Sequence, residues 1–300
     1  MDVAGAGFSP DRQGGPARVG TPKKSARLRS ELKRYPSLAV GSVLAAVVVI
    51  VAIAGHLAPP YNPLAINPGH ALVPPGPGHW FGTDQFGRDV FSRVLYGIGT
   101  DVVIGLIVAA LAFAVGCTAG LVSGYLGGWI DDIVMRVVDM VMSFPSFLLA
   151  LSIAVVIGDT VRNVIIAVTI AYVPYIVRLT RGSVLTVRGA DYVLGARAVG
   201  ASRSRVMALH VLPNAVGPSV VQATLMAGWA ILDVSGLSFL GVGIQPPSPE
   251  LGVQVAQGAS YITSGQWWIS VFPGMAIILA VLAFSFLGDY ADDRLRGQGA

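Results

Sequence analysis

Six runs of predominantly apolar residues divide this chain: Leu38–Leu57, Asp101–Ser123, Ile133–Ile157, Val164–Val177, Val220–Leu240 and Ile269–Leu287. Most approach the roughly 20 residues that a helix needs to cross lipid hydrocarbon. A segment in hydrocarbon must satisfy its own backbone hydrogen bonds, so each run is expected to be helical. The charge content leaves no other way to place them. Only 12% of the residues are charged, against about 25% in an ordinary soluble domain. The expected fold class is therefore an all-α polytopic membrane protein with six transmembrane helices. Pro145 and Pro174 fall inside the third and fourth runs, where the missing N–H bends a helix. Gly116, Gly120 and Gly124 recur every four residues in the second, a small-residue stripe that admits a close neighbour. The first run exceeds a signal-peptide core and reads as an uncleaved anchor.

Six crossings put both termini on one side. Seventeen of the 20 basic residues lie in segments on that side: the stretch 1–37, Arg136, the segment 178–205, and Arg294 with Arg296. Arg88, Arg93 and Arg162 lie on the other. The positive-inside rule makes the first side cytoplasmic. Residues 1–37 form a basic, Gly/Pro/Ser-rich tail without hydrophobic periodicity. It reads as a solvated arm, with Lys23–Arg34 near enough to the membrane to meet anionic head groups. Nothing in it has the aromatic-basic pattern of a nucleic-acid binder. The loop after the first run holds Pro59, Pro60, Pro63, Pro68, Pro74, Pro75 and Pro77, which exclude a helix there.

The longest polar interruption in the second half, 183–218, has a grammar of its own. Asp191 is placed to cap a short helix over Tyr192–Val199, and Ser202 a second one reaching about Val211. Gly200 between them suits a left-handed C′ position. Pro213 is expected to help stop the second helix. A connection between two spans needs only a few residues, so this one is expected to touch a partner.

Its residues resemble a known pattern. Gly195-Ala196, Gly200 and Leu212-Pro213, with nine residues between Gly200 and His210, resemble the EAA loop in permease subunits of bacterial ATP-binding cassette importers. Leu194 stands where that loop has Glu, Gly195 where it has Ala, and His210 where it has Ile. The resemblance extends over roughly residues 80–290, closest to the C-type permease of dipeptide and oligopeptide importers. Phe81-Gly82-Thr83-Asp84-Gln85-Phe86-Gly87-Arg88-Asp89 with Ser92-Arg93 is similar to a box of those permeases. Met135–Asp139 with Ser143-Phe144-Pro145-Ser146 also matches. The resemblance implies a type I importer permease: tail 1–37, first helix and external loop 38–98, a five-helix core 99–290 including loop 183–218, and tail 291–300. It implies a second homologous permease as heterodimer partner, two ATPase subunits docked on the loops, and an external substrate-binding protein. Asp191, Leu194, Gly195, Ala196, Arg197, Gly200, Ala201, Arg203, His210, Leu212 and Pro213 would carry the ATPase coupling. Import of nickel or another small solute by the same class of machine is the alternative, and an ion-coupled secondary transporter a more distant one.

The remaining residues bear on chemistry. No phosphate-binding Gly-rich loop with Lys-Ser/Thr occurs, the only lysines being Lys23, Lys24 and Lys33. ATP hydrolysis is therefore expected on partners, with no enzyme activity, metal or cofactor in this chain. Asp84, Arg88, Asp89 and Arg93 are spaced to pair on one face of an interfacial helix. Arg136 and Asp139 are spaced to pair locally. Asp233 is an intramembrane acid without a basic neighbour, so it is expected to face the bundle interior. Asp139, Phe144, Pro145 and Asp233 are the candidates for the pathway or the partner-permease interface.

Overall fold

The computed structural model describes residues 36–297, all of whose regular elements are helices. The basic tail lies outside the described residues up to Tyr35. Helix α1 spans Pro36–Leu57, α2 Val90–Leu126, α3 Gly128–Met142, α4 Ser146–Ile157 and α5 Val161–Val187. Three short helices follow, α6 Asp191–Ala198, α7 Arg203–Val206 and α8 Leu212–Ala215, the last two joined by a wide π turn at Met207–Val211. Helices α9 Gly217–Phe239, α10 Leu251–Ala259 and α11 Trp268–Gly297 complete the chain.

Among the described residues, α2, α5, α9 and α11 are each long and apolar enough to cross a membrane. The run expected as one span over 133–157 is instead two helices, α3 and α4, meeting at 89°. Pro145 sits at the corner with φ −56° as the residue before α4. It lacks the N–H that would continue the α3 ladder, and the chain turns there. The first apolar run lies in α1, which supplies a shorter apolar stretch over Val43–Leu57.

Three boundaries differ from the sequence reading because charged residues proved compatible with helix. Helix α2 begins at Val90, well before Asp101, since the Asp89 carboxylate caps it by accepting from the Ser92 N–H at 2.7 Å. Helix α5 runs on through Arg178 and Arg181 to Val187, taking in the first residues assigned to the polar loop. Pro174 sits buried inside α5. Helix α11 likewise continues past Leu287 into the expected tail.

The core is organised by close approach of α2 to its neighbours. A Cβ added at Gly116 would lie 2.6 Å from Ile176, one at Gly120 2.6 Å from the Val177 carbonyl, and one at Gly124 3.0 Å from Val184. The stripe thus lets α5 lie directly on α2. Gly105 does the same for α9, against the Ala227 carbonyl. Ile104, Val108, Ala112, Val168, Ala171, Ile176, Met226 and Ala230 fill the space between the three helices. A second cluster, including Val48, Val94, Ile98, Trp268 and Ile277, joins α1 and α11 to the first half of α2.

Candidate functional site: a docking loop, a capped opposite end and an acid-lined cavity

At one end of the bundle, the loop folds as a helix–glycine–helix joint. Helix α6 begins at Asp191 itself, with Ala190 in the capping position and no side-chain cap. The expected Asp191 cap is therefore corrected: its backbone is already helical, and its carboxylate instead places negative charge in the first turn. Gly200 has φ +84°. Its N–H donates to the Arg197 carbonyl at 3.0 Å, and the Ala201 N–H to that of Ala196 at 3.1 Å. Those two bonds form a Schellman ending, which needs the left-handed conformation glycine adopts most easily. Ser202 occupies the position before α7 but makes no side-chain cap; its hydroxyl meets that of Ser204 at 3.4 Å. Pro213 does not stop the helix. The Leu212 N–H reaches back to the Met207 carbonyl, a wider turn just before the residue that has no N–H, and the chain stays helical through Leu212 and Pro213. The His210 carbonyl accepts from the Asn214 side chain at 2.7 Å.

The joint is anchored on the spans and open outward. Val193, Val206, Val211 and Ala215 are buried against Leu121 and Tyr125 of α2 and Val184 of α5, with Ala196, Ala201 and Leu212 packed around them. The Arg197 Nε donates to the Tyr125 hydroxyl at 3.2 Å, its guanidinium 4.8 Å above the ring. Arg188 donates to the Gly124 carbonyl at 2.7 Å. Arg197, Arg203, Ala201, Tyr125 and Leu126 line a cavity of about 400 Å³. Nothing stands within 4 Å of where a Cβ would be at Gly195 or Gly200. Val199 is 87% exposed and Leu209 62%, and Tyr192 and Leu194 are half-exposed. Of these apolar side chains the sequence reading named Leu194 and passed over Tyr192, Val199 and Leu209; all four are turned away from the chain's own core. A helical period places Val193 and Val206 inward, so the outward set was legible as its complement.

Two of the six arginines assigned to this segment are ion-paired within the bundle. Arg181 grips Asp131 through Nε to Oδ1 and Nη2 to Oδ2, both 2.6 Å, and Ser123 of α2 donates to the same carboxylate at 2.9 Å. Arg178 pairs with Asp139. That pairing corrects the expected Arg136–Asp139 contact, because α5 rather than the preceding turn of α3 presents the guanidinium. Phe144, in the corner beside Pro145, is exposed.

The opposite end holds the Asp84–Arg93 box. It is a closed turn, not one face of a helix: among its charged residues only Arg93 lies in α2. The Asp84 Oδ1 accepts from the Phe86 and Arg88 N–H groups, each at 2.9 Å. Its Oδ2 takes the Arg88 Nε at 2.6 Å and stands 3.7 Å from the Arg93 Nε. Arg93 also donates to the Pro63 carbonyl at 2.9 Å, and Arg88 to Gln257 near the end of α10 at 3.1 Å. Asp89 caps α2 and holds His79 at 2.8 Å. All four charged residues are buried. Two carboxylates against two guanidiniums leave no net charge to desolvate.

A second pair of acids at this end escaped the sequence reading. Helix α10, between the fifth and sixth apolar runs, is capped by Glu250, which accepts from the Val253 N–H at 2.7 Å. The Asp101 Oδ2 accepts from the Leu251 N–H at 3.3 Å. The other oxygen of each carboxyl is buried without a hydrogen-bond partner, as is the Ser235 hydroxyl. Burial raises the Glu250 carboxyl above the usual carboxylate range. Glu250 ahead of Leu251, Val253 and Val255 was the available signal; Asp101 was read as a span boundary.

Asp233 lies on α9, and its Oδ2 accepts from the Tyr172 hydroxyl of α5 at 2.8 Å. It lines a cavity of about 190 Å³ with Ser146, Tyr172, Tyr175 and Trp229. The coupling-loop residues are thus assembled at one end, the box at the other, and Asp233 between α5 and α9; Asp139 stands apart from Asp233, held by Arg178.

The described residues thus form a bundle of apolar helices, four of them long and apolar enough to cross a membrane, with apolar side chains exposed on the loop at one end. The chain belongs to the family of binding-protein-dependent transport system inner membrane components, which matches residues 116–297. It is 40% identical over 270 residues to the probable D,D-dipeptide transport system permease protein of Escherichia coli K12, covering 90% of each chain. It is 41% identical over 269 residues to the dipeptide transport system permease protein of the same organism, covering 88% of this chain and 89% of that one. The dipeptide transport system permease protein of Alkalihalophilus pseudofirmus is 38% identical over 265 residues, covering 88% of this chain and 87% of its own.

Proposed function

We propose that this chain is the translocating subunit of an ATP-driven importer of dipeptides or oligopeptides. The observation that carries the reading is relatedness along nearly the whole chain to proteins named as dipeptide permeases. The loop geometry supports it. A glycine joint anchored on α2 and α5, with Tyr192, Leu194, Val199 and Leu209 outward, suits insertion into a groove on an ATPase subunit. Helix-packed anchors can pass a rigid-body displacement to the spans. In this reading the chain hydrolyses no ATP itself. A second, homologous permease completes the pathway, two ATPase subunits dock on the two loops, and an external binding protein delivers cargo. The loop faces the cytoplasm with both termini, and the Asp84–Arg93 box faces outward.

The test is reconstitution in proteoliposomes with the second permease, both ATPases and the binding protein. ATP-dependent uptake of a labelled dipeptide is expected; uptake of nickel without peptide uptake would overturn the reading. Orientation is tested by single cysteines in otherwise cysteine-free protein. Ala71→Cys and Ser264→Cys should react with an impermeant maleimide from outside, and Ser204→Cys only after permeabilisation.

A further inference from the structure

We propose that the cavity at Asp233 takes the positively charged amino group of the cargo as it passes; this rests on the peptide-importer reading. The argument starts from what the acid lacks. A carboxylate at span depth is costly unless it faces protein or water and finds a partner. Tyr172 satisfies one oxygen of Asp233, but among the described residues no basic side chain pairs with it. The arginines further along α5 are spoken for, Arg178 by Asp139 and Arg181 by Asp131. Among the described residues the fold thus provides no cation for this carboxyl.

The walls say which kind. Tyr172 and Tyr175 come from α5, Trp229 from α9 and Ser146 from the start of α4. Aromatic faces around a carboxylate attract an organic ammonium, through the ring quadrupole and a charge-assisted hydrogen bond. A metal ion fits poorly: among the described residues no group of three His, Cys, Asp or Glu side chains is placed to hold one. The half-exposed Trp229 and Leu232 leave the cavity open on its outer side. A lipid-facing position there would strand the carboxylate in hydrocarbon, so that side faces either the pathway or a partner permease, and the aromatic walls around the carboxyl suit the pathway. The cargo class is a free-amino peptide, with its ammonium on Asp233 and its side chain against Trp229.

Substitution separates this from a mere strut between α5 and α9. Asp233→Asn keeps an oxygen that can accept from Tyr172 and removes only the charge. In the reconstituted complex, dialanine uptake should fall about tenfold or more, with subunit retention and the binding protein's affinity unchanged. Asp233→Glu should retain most of the uptake. In detergent without binding protein, dialanine should shift the tryptophan emission of the complex, N-acetyl-dialanine should not, and Trp229→Phe should abolish the shift. Uptake by Asp233→Asn at the wild-type rate, or an equal shift with N-acetyl-dialanine, overturns the subsite while leaving the importer reading standing. If the wild-type complex fails to import dialanine that its binding protein holds, the importer reading falls, and the subsite with it. Should the Asn variant reduce the yield of complex, the two-peptide comparison on the wild type decides.

Discussion

The two ends of the bundle solve opposite problems with the same residue types. At the box end, the glycines that shape the clamp are packed solid: a Cβ at Gly87 would meet the Asn67 carbonyl, and one at Gly252 that of Ser235. At the loop end, nothing stands within 4 Å of Gly182, Gly189, Gly195 or Gly200. Arginines divide in the same way. Arg88 and Arg93 are buried on Asp84, whereas Arg203 is exposed beside an open cavity. The charges of the box are paired within the chain, whereas the loop end leaves apolar side chains exposed. Sequence motifs of equal clarity therefore mark different things, an internal clamp in one case and, in the reading proposed above, an interface in the other.

The largest expected effect comes from breaking the closed end. Gly87→Val adds bulk at φ +71° against the Asn67 backbone, and should cost more than about 4 kcal/mol. No monodisperse protein is expected by size-exclusion chromatography in detergent; a well-folded variant would contradict the packing. Asp84→Asn comes next. It leaves Arg88 and Arg93 buried against a neutral group, a loss of about 3–5 kcal/mol. A large drop in melting temperature should result, and an unchanged melt would mean that the box is held by its backbone bonds alone.

The open end should respond in function before stability. Gly200→Asp puts a Cβ residue at φ +84°, costing about 1–2 kcal/mol, so the spans should still insert. In the reconstituted complex the ATPases should fail to dock or should hydrolyse without uptake; normal coupled uptake would remove the joint from the mechanism. Glu250 sharpens the contrast through pH. Its folded carboxyl is raised by burial, so the folded state holds the proton longer than the unfolded one. Stability is therefore lost as pH rises above the usual glutamate range of about 4.3. Glu250→Gln should flatten that slope, read as melting temperature against pH, and an equally steep slope in the variant would clear Glu250 of it. The smallest effect is expected of Gly195→Ala, which meets no neighbour and should stabilise α6 by about 1 kcal/mol or less. Any loss of uptake in that variant would then report on the docked partner.

How far the sequence reveals these ends depends on the range of the forces involved. Apolar runs and prolines act locally, so most of the helices and a bend at Pro145 were legible, although the break into two helices at 89° was not. Gly200 was legible because a left-handed residue between two short helices has a chemical signature. Pairings across helices were not: Arg181 with Asp131 and Arg178 with Asp139 depend on how α5 lies on α3. Local spacing instead suggested Arg136. Helix α10 was missed for a similar reason. Nine residues among prolines and glycines carry little propensity, and the helix stands because Gly252 and Gly258 let it press against α9 and α11.

Helix α2 is 37 residues long and contains no proline. At 1.5 Å per residue it measures about 55 Å, against a hydrocarbon thickness of about 30 Å. One end is clamped in the box by Asp89 and Arg93; the other carries Leu121 and Tyr125, on which the loop is seated. It is thus a strut of fixed length connecting the two faces of the membrane. Such a strut cannot absorb a push by shortening. In the importer proposed above, a displacement of the seated loop would tilt or rotate it about the clamp at the far end, so rigidity at Asp84 and Gly87 would set how much of that displacement is transmitted.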